Sequence, residues 1–220
     1  MYKLIVNLKT YKESTGEEAV KIAKIVKSLE KKAKEKNVDI ILCPQAVDIK
    51  EILKTGIKVY AQHVDDFSYG SNTGHIIPEV LSEMGVTGTL ISHSEYILNL
   101  KEIEKRVKVA RKAGLETCVC ARTSFVASKI SQLRPKPDYI AVEPKELIGG
   151  DISISTAKPQ LIMSSKKAIG NVKLLVGAGV KNTDDVKKSV SLGAKGVLVA
   201  SGVVKAKDIK KSIEELLAGF

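Results

Sequence analysis

The sequence predicts a single closed (β/α)8 barrel of the α/β class, and three observations carry that reading. Eight short apolar runs recur from end to end, amphipathic segments separate most of them, and no linker or low-complexity tract divides the chain. The runs are Leu4 to Leu8, Ile40 to Cys43, Val59 to Gln62, Thr89 to Ser92, Thr117 to Cys120, Tyr139 to Val142, Leu174 to Gly177 and Val197 to Ala200. They are continuous rather than alternating, which is how strands buried on both faces read. Strands alternating with helices imply a parallel sheet with right-handed crossovers, and eight is the number that closes a barrel. A doubly wound open sheet is the alternative. It usually has fewer strands, and its Gly-x-Gly-x-x-Gly turn is missing here, because Asn7-Leu8-Lys9 closes the first run. The 220 residues suit one domain spanning 1–220.

The helical segments follow in order. Thr15-Gly16-Glu17-Glu18 reads as a capping box ahead of Val20, Ala23, Val26, Leu29 and Ala33 at helical spacing. Asn99 with Glu102 opens a second helix through Ile103, Val107 and Ala110, and Gly114 ends it. Pro159 suits the first turn of a third. Asn182-Thr183 opens a fourth that runs to Gly193, and Ile209, Ile213, Leu216 and Leu217 mark the last.

Composition narrows the class. Hydrophobic residues make up 44% and charged residues 28%, as in an ordinary globular protein. No apolar stretch approaches the ~20 residues that cross a bilayer. The start, Met1-Tyr2-Lys3 into Leu4-Ile5-Val6, does not read as a signal peptide, so a cytoplasmic protein without membrane partners is expected. Cys43, Cys118 and Cys120 have no metal-ligand spacing and read as small buried hydrophobes in a reducing compartment; no metal is expected. The net charge of +11 raises nucleic acid as a partner. Only Arg106, Arg111, Arg122 and Arg134 are arginines, however, and the lysines are scattered among glutamates, as in Lys101-Glu102-Ile103-Glu104-Lys105. A solvated lysine-rich surface is the reading, with no nucleic-acid partner.

Chemistry concentrates at strand ends, which line one rim in this fold. Asn7 and Lys9 stand at the end of the first run, His93 after the fourth, Glu143 after the sixth, Gly177-Ala178-Gly179 at the end of the seventh, and Ser201 directly follows Ala200 at the end of the eighth. Each alone has a dull explanation: a solvated lysine, a satisfied loop histidine, a rim ion pair, a turn glycine. Together they do not. Small residues after the last two strands let backbone N–H groups approach a phosphate. A rim histidine, a rim carboxylate and a lysine beside such a cradle suit proton transfer on a phosphorylated carbonyl compound.

The order Asn-x-Lys at Asn7, Ala-Gln at Ala61, Thr-Gly at Thr73, His-Ser-Glu at His93 and Glu-Pro with Ile-Gly from Glu143 resembles the triosephosphate isomerase family. The likeness spans the chain. Its short length, Glu146-Leu147-Ile148-Gly149, Gly177-Ala178-Gly179 and Ala200-Ser201-Gly202-Val203-Val204-Lys205 resemble the compact archaeal branch. The resemblance implies a TIM barrel with Glu143 as base and His93 as electrophile, and with Lys9 and Asn7 balancing the charge of an enediolate-like intermediate. It implies ligand contacts at Asn7, Leu8, Lys9, Ile148, Gly149, Gly179, Ala200 and Ser201. It further implies a lid over Pro144, Lys145, Glu146, Leu147, Ile148, Gly149 and Gly150, no cofactor, and a homodimer or homotetramer in which Thr73 enters a neighbouring subunit.

A helix start after His93, through the N–H groups of Ser94 and Glu95, is expected to keep the imidazole neutral. Phosphate binding is expected from backbone and Lys9, with the four arginines on helices or distant loops. The chain departs from the widespread bacterial and eukaryotic pattern: it has no tryptophan, Val176 replaces the strand-seven tyrosine, Gly149-Gly150-Asp151 ends the lid, and Tyr96-Ile97 follow His93-Ser94-Glu95. An aldolase on the same fold is the competing enzyme; it needs a mid-strand lysine for a Schiff base, and none of the eight runs holds one.

Overall fold

Eight parallel strands hydrogen-bond in chain order and the last closes on the first, β1(Tyr2–Asn7) pairing with both β2(Val38–Cys43) and β8(Gly196–Val199). Between them stand β3(Lys58–Ala61), β4(Gly88–Ile91), β5(Glu116–Ala121), β6(Tyr139–Val142) and β7(Lys173–Gly177). This computed structural model describes residues 1–144 and 153–220. The predicted (β/α)8 barrel is borne out, and each of the eight apolar runs overlaps a strand.

The helices form the outer layer. They are α1(Glu17–Glu35), α2(Ile49–Leu53), α3(Pro78–Glu83), α4(Leu100–Lys112), α5(Ser124–Ser131), α6(Ile154–Ala157), α7(Pro159–Ala168), α8(Thr183–Ser191), α9(Ser201–Val204) and α10(Ile209–Leu217). Asn99 and Glu102 close the capping box that opens α4, Pro159 begins α7, and Asn182 caps α8 by accepting from Asp185 N–H. The box expected at Thr15 does not form. Gly16 is the N-cap of α1 and no side chain caps it. Thr15 Oγ1 instead donates to Tyr11 C=O at 2.9 Å and accepts from Gln45 Nε2 at 2.7 Å, which ties the loop after β1 to the loop after β2. Sequence periodicity passed over α2, α3 and α5, because their apolar faces are only one or two turns long.

Strand alternation sorts side chains into two cores. Residues facing out, such as Leu4, Val6, Leu42, Ile91, Ile140 and Val197, pack with the helices. Residues facing in form a second cluster of Ile5, Ile41, Cys43, Tyr60, Leu90, Cys118, Cys120, Tyr139, Ala141, Leu175 and Leu198. All three cysteines lie in it, free and buried as expected. The same alternation continues to both mouths of the barrel. At the N-terminal mouth Lys3 Nζ bonds Asp39 at 3.2 Å and Glu116 at 3.0 Å, and Tyr60 donates its hydroxyl to Glu116. At the C-terminal mouth the inward positions are Asn7, Glu143 and Gly177.

That lower layer corrects one expectation. Strands do contain lysines: Lys3, Lys58 and Lys173 begin β1, β3 and β7. The apolar runs start after them, because the inward residue at each strand start is polar. Lys3 is buried at the end opposite the cleft described below. Burial pulls its pKa down, but Glu116, Tyr139 and Asp39 outweigh that and hold it above 10.5. A lysine held charged is the reverse of what Schiff-base chemistry requires.

Candidate active site

Asn7, Lys9, His93, Glu143, Gly179, Ala200 and Ser201 line a single cleft at the C-terminal mouth, so the barrel brings together residues scattered over the whole sequence. Asn7 is the last residue of β1. Its Oδ1 accepts from Lys9 N–H at 3.0 Å and holds a turn in which Lys9 adopts φ 51°. Gln62, just past β3, donates from Nε2 to Asn7 Oδ1 at 3.2 Å, to Lys9 C=O at 3.0 Å and to Cys43 C=O at 3.0 Å. One amide thus fixes the backbone that aims the lysine. Lys9 Nζ pairs with Glu95 Oε1 at 2.7 Å.

His93 follows β4 after Ser92, which is held at φ 58°. Such conformations are costly for residues other than glycine and gather at functional sites. Of the four non-glycine residues with positive φ among the described residues, Lys9, Ser92 and Ala178 lie at this mouth. No helix begins after His93, contrary to expectation: residues 94 and 95 form one turn, and α4 starts only at Leu100. What stands there instead is Glu95, whose N–H donates to His93 Nδ1 at 3.2 Å and whose Oε2 lies 3.4 Å from the same atom. An Nδ1 that accepts leaves the proton of the neutral ring on Nε2. Nε2 faces Glu143 Oε2 at 3.7 Å.

Glu143 follows β6 immediately and is 5% exposed. Burial raises its pKa above the ordinary 4.5, opposed by His93, by a hydrogen bond from the Cys120 thiol and by Lys9. Among the described residues its Oε2 has no hydrogen-bond partner. A buried carboxylate oxygen without a partner, beside an imidazole N–H, is arranged to act on something entering the cleft. The opposite wall is backbone: Ala178 at φ 70° and Gly179 at φ 72° turn the chain after β7, and α9 starts at Ser201 with its first N–H groups unused by the helix. N–H groups presented in this way suit an anionic group.

Several sequence expectations need amendment. The Leu8 side chain is fully buried in the outer core, its N–H goes to Cys43 C=O, and its C=O accepts from Ser14 Oγ. Alternation from inward Asn7 sends it away from the cleft. Lys9 is joined at the cleft by a second basic residue, Lys181 after β7. Arg122 is not distant: it follows β5 and lines an adjoining cavity that also borders Glu143. Arg106 is buried, donating Nε to Val64 C=O at 3.0 Å and lying 3.5 Å from Asp65, which is a structural position. Thr73 is exposed on its loop and does not reach the cleft of its own chain. Pro144 is buried, whereas Lys145 to Gly150, including Ile148 and Gly149, lie outside the described residues. Gln62, Glu95, Cys120 and Lys181 were missed as site residues. Gln62 and Glu95 stand in quoted motifs, so a polar residue closing an apolar run was the available signal.

Comparison with known proteins adds an independent finding. A family model described as triosephosphate isomerase matches residues 3–216. The chain is 43% identical to the triosephosphate isomerase of Methanocaldococcus jannaschii over 88% of this chain and 89% of that protein. It is 42% identical to that of Methanothermus fervidus over 97% and 96%, and 42% identical to that of Thermoplasma volcanium over 90% of each.

Proposed function

Because the chain belongs to the triosephosphate isomerase family, we propose that it interconverts D-glyceraldehyde 3-phosphate and dihydroxyacetone phosphate, as one barrel unit over 1–220. Glu143 takes the proton from the carbon beside the carbonyl, and an enediolate forms as the electron pair moves to the carbonyl oxygen. His93, neutral and protonated on Nε2, donates to that oxygen and shuttles the proton between the two oxygens. Glu143 then returns its proton to the neighbouring carbon. Lys9 and Asn7 balance the negative charge. The observation that carries this reading is the unpartnered Glu143 Oε2 at 3.7 Å from His93 Nε2, across the cleft from Gly179, Ala200 and Ser201.

Physical chemistry supports these roles. A desolvated carboxylate is a stronger base, and here burial raises its pKa. A neutral imidazole is a donor better matched to an oxyanion than a doubly charged ion pair would be; for this enzyme family the tuning of base and histidine is a known worked case. The carbonyl of the substrate is its own electron sink, so the proposal uses no cofactor or metal. Phosphate contacts at Ile148 and Gly149, and a lid over Pro144 to Gly150, belong to the proposal through the family resemblance. So does work in glycolysis and gluconeogenesis in the cytoplasm.

For assembly we propose a homodimer or homotetramer. Thr73 sits at the tip of a loop pinned by Asn72 Nδ2 donating to Ser68 C=O at 2.6 Å and by Tyr69 OH donating to Glu83 at 2.8 Å. Beside Asn7, Lys9 and His93 lies a cavity of about 420 Å³, lined also by Gln62, Glu95 and Tyr96, which such a loop from a second copy suits. A nucleic-acid or membrane partner is not proposed. Lysines pair with acidic neighbours one helical turn away, as Lys21 with Glu18 and Lys54 with Glu51, and among the described residues no helix is long and apolar enough to cross a membrane. A coupled assay of triose phosphate interconversion tests the function, and an inactive pure protein would overturn it.

A further inference from the structure

Glu143 and Gly177 are neighbours across the barrel wall. Strands β6 and β7 pair in register through Ala141 with Leu175 and Val142 with Val176. The next inward residues are therefore Glu143 and Gly177, side by side on adjacent strands about 5 Å apart. The Glu143 side chain lies directly over the glycine. A Cβ at position 177 would meet Glu143 Oε1 at 2.5 Å and Cδ at 2.7 Å, and Cγ closer still. The three nearest heavy atoms all belong to this one side chain.

The backbone gives no other reason for glycine here. Gly179 needs its positive φ, but Gly177 is not among the glycines in the left-handed region. Alanine fits the strand conformation, and the atoms its Cβ would meet first are those of the carboxylate-bearing chain. The other crowded glycines differ in kind. Gly88 faces the Tyr60 ring and the Glu116 backbone, Gly196 the Lys3 backbone, and Gly219 the Val186 side chain and the Thr183 carbonyl, so each meets backbone that cannot yield. Glu143 can yield: the apolar cavity of about 250 Å³ between the ends of β4 and β5, bordered by Ser92, Leu98, Cys120 and Glu143 itself, lies beside it.

We propose that Gly177 is a positioning residue for the base: its missing side chain is what lets the Glu143 carboxylate lie inside the barrel mouth beside His93. Any side chain at 177 drives it sideways, out of reach of a bound triose phosphate. The proposal rests on the reading of Glu143 as the base. The displacement needed is roughly 1 Å, the shortfall from an ordinary ~3.5 Å contact. Misplacement by 1 Å costs a reacting group about 10²-fold in rate.

The test is Gly177→Ala, measured for kcat, for binding of inorganic phosphate and for thermal unfolding. The parent enzyme is assayed first, and an inactive parent sinks the function reading rather than this one. The expected result is a fall in kcat of about 100-fold or more, with phosphate affinity within about twofold. A kcat within threefold of the parent overturns the proposal. So does a loss of phosphate affinity in proportion to kcat, which would mean the whole mouth has deformed. If Gly177→Ala fails to fold, the double variant Gly177→Ala with Glu143→Ala decides. Recovery of folding and phosphate binding supports the proposal, because the obstructing side chain is gone. Failure to recover shows that the strand itself needs the glycine and overturns it.

Discussion

Glu143→Asp is the sharpest perturbation of the proposed chemistry, because it keeps the charge and withdraws it by one carbon. A C–C bond is about 1.5 Å, so the carboxylate retreats into the end of β6 by nearly that distance. The oxygen facing His93 Nε2 at 3.7 Å would move beyond any direct contact with a substrate carbon held between them. At about 10²-fold per ångström, the loss in kcat is about 10³-fold, equivalent to about 4 kcal/mol. The backbone proposed to face the phosphate after β7 and β8 keeps its sequence in this variant, so phosphoglycolate should inhibit within about twofold of its parental constant. The assay is the coupled spectrophotometric conversion of glyceraldehyde 3-phosphate to dihydroxyacetone phosphate over a range of substrate concentrations. A loss smaller than tenfold would remove Glu143 as base. A loss mirrored in phosphoglycolate affinity would place the damage in binding instead.

Four further outcomes follow from the same geometry. His93→Gln should lower kcat about 10²- to 10⁴-fold, the usual worth of a proton-transfer group; His63→Gln and His75→Gln should be far milder, since those rings bond to Asp65 at 3.0 and 3.3 Å, and equal damage from either would undo the assignment. Lys9→Met should weaken phosphate binding about 10- to 100-fold, as loss of a charge-assisted contact does. Arg111→Met should leave it unchanged, and Arg106→Met should show its effect in unfolding, by about 3 kcal/mol or more, because it uncovers buried Asp65. Glu143 has its pKa raised above 4.5 by burial, so its favourable contribution to stability is fully present below pH 4.5 and is lost as pH rises through the raised value. Glu143→Gln should therefore be more stable than the parent near pH 8, by about 1 kcal/mol, with the gap closing below pH 4.5; thermal melts across pH decide it. Sedimentation at micromolar concentration should find a dimer or tetramer, and a fully active species near 23.8 kDa would refute both the assembly and the role of Thr73.

The barrel was legible because burial on both faces leaves continuous apolar runs, and the site was legible because Asn7, His93 and Glu143 are polar residues standing where those runs stop. What escaped the sequence has physical causes. Strand starts were placed too late where Lys3, Lys58 and Lys173 face inward into a charged layer at the far mouth. Leu8 was drawn toward the site by its neighbours, although alternation from Asn7 turns it outward. Thr15 matched a capping pattern, but the loop it belongs to competes for its hydroxyl through Tyr11 and Gln45. The turn after His93 looked like a helix start because its polar residues suit one; spacing alone does not tell that Glu95 folds back onto Nδ1. Gly177 read as part of a small-residue phosphate cradle, since one strand's sequence does not tell what the neighbouring strand lays across it.

The central claim is that Glu143 moves a carbon-bound proton. Its most direct test is isomerisation of dihydroxyacetone phosphate in D₂O, followed by NMR, with the parent and with Glu143→Gln. The account predicts that the parent forms glyceraldehyde 3-phosphate carrying solvent deuterium on the carbon beside the carbonyl, since a proton held on a carboxylate exchanges with solvent. It predicts that Glu143→Gln shows neither isomerisation nor exchange beyond about 10⁻³ of the parental rate. Isomerisation or exchange persisting in Glu143→Gln at a rate near the parent's would contradict it.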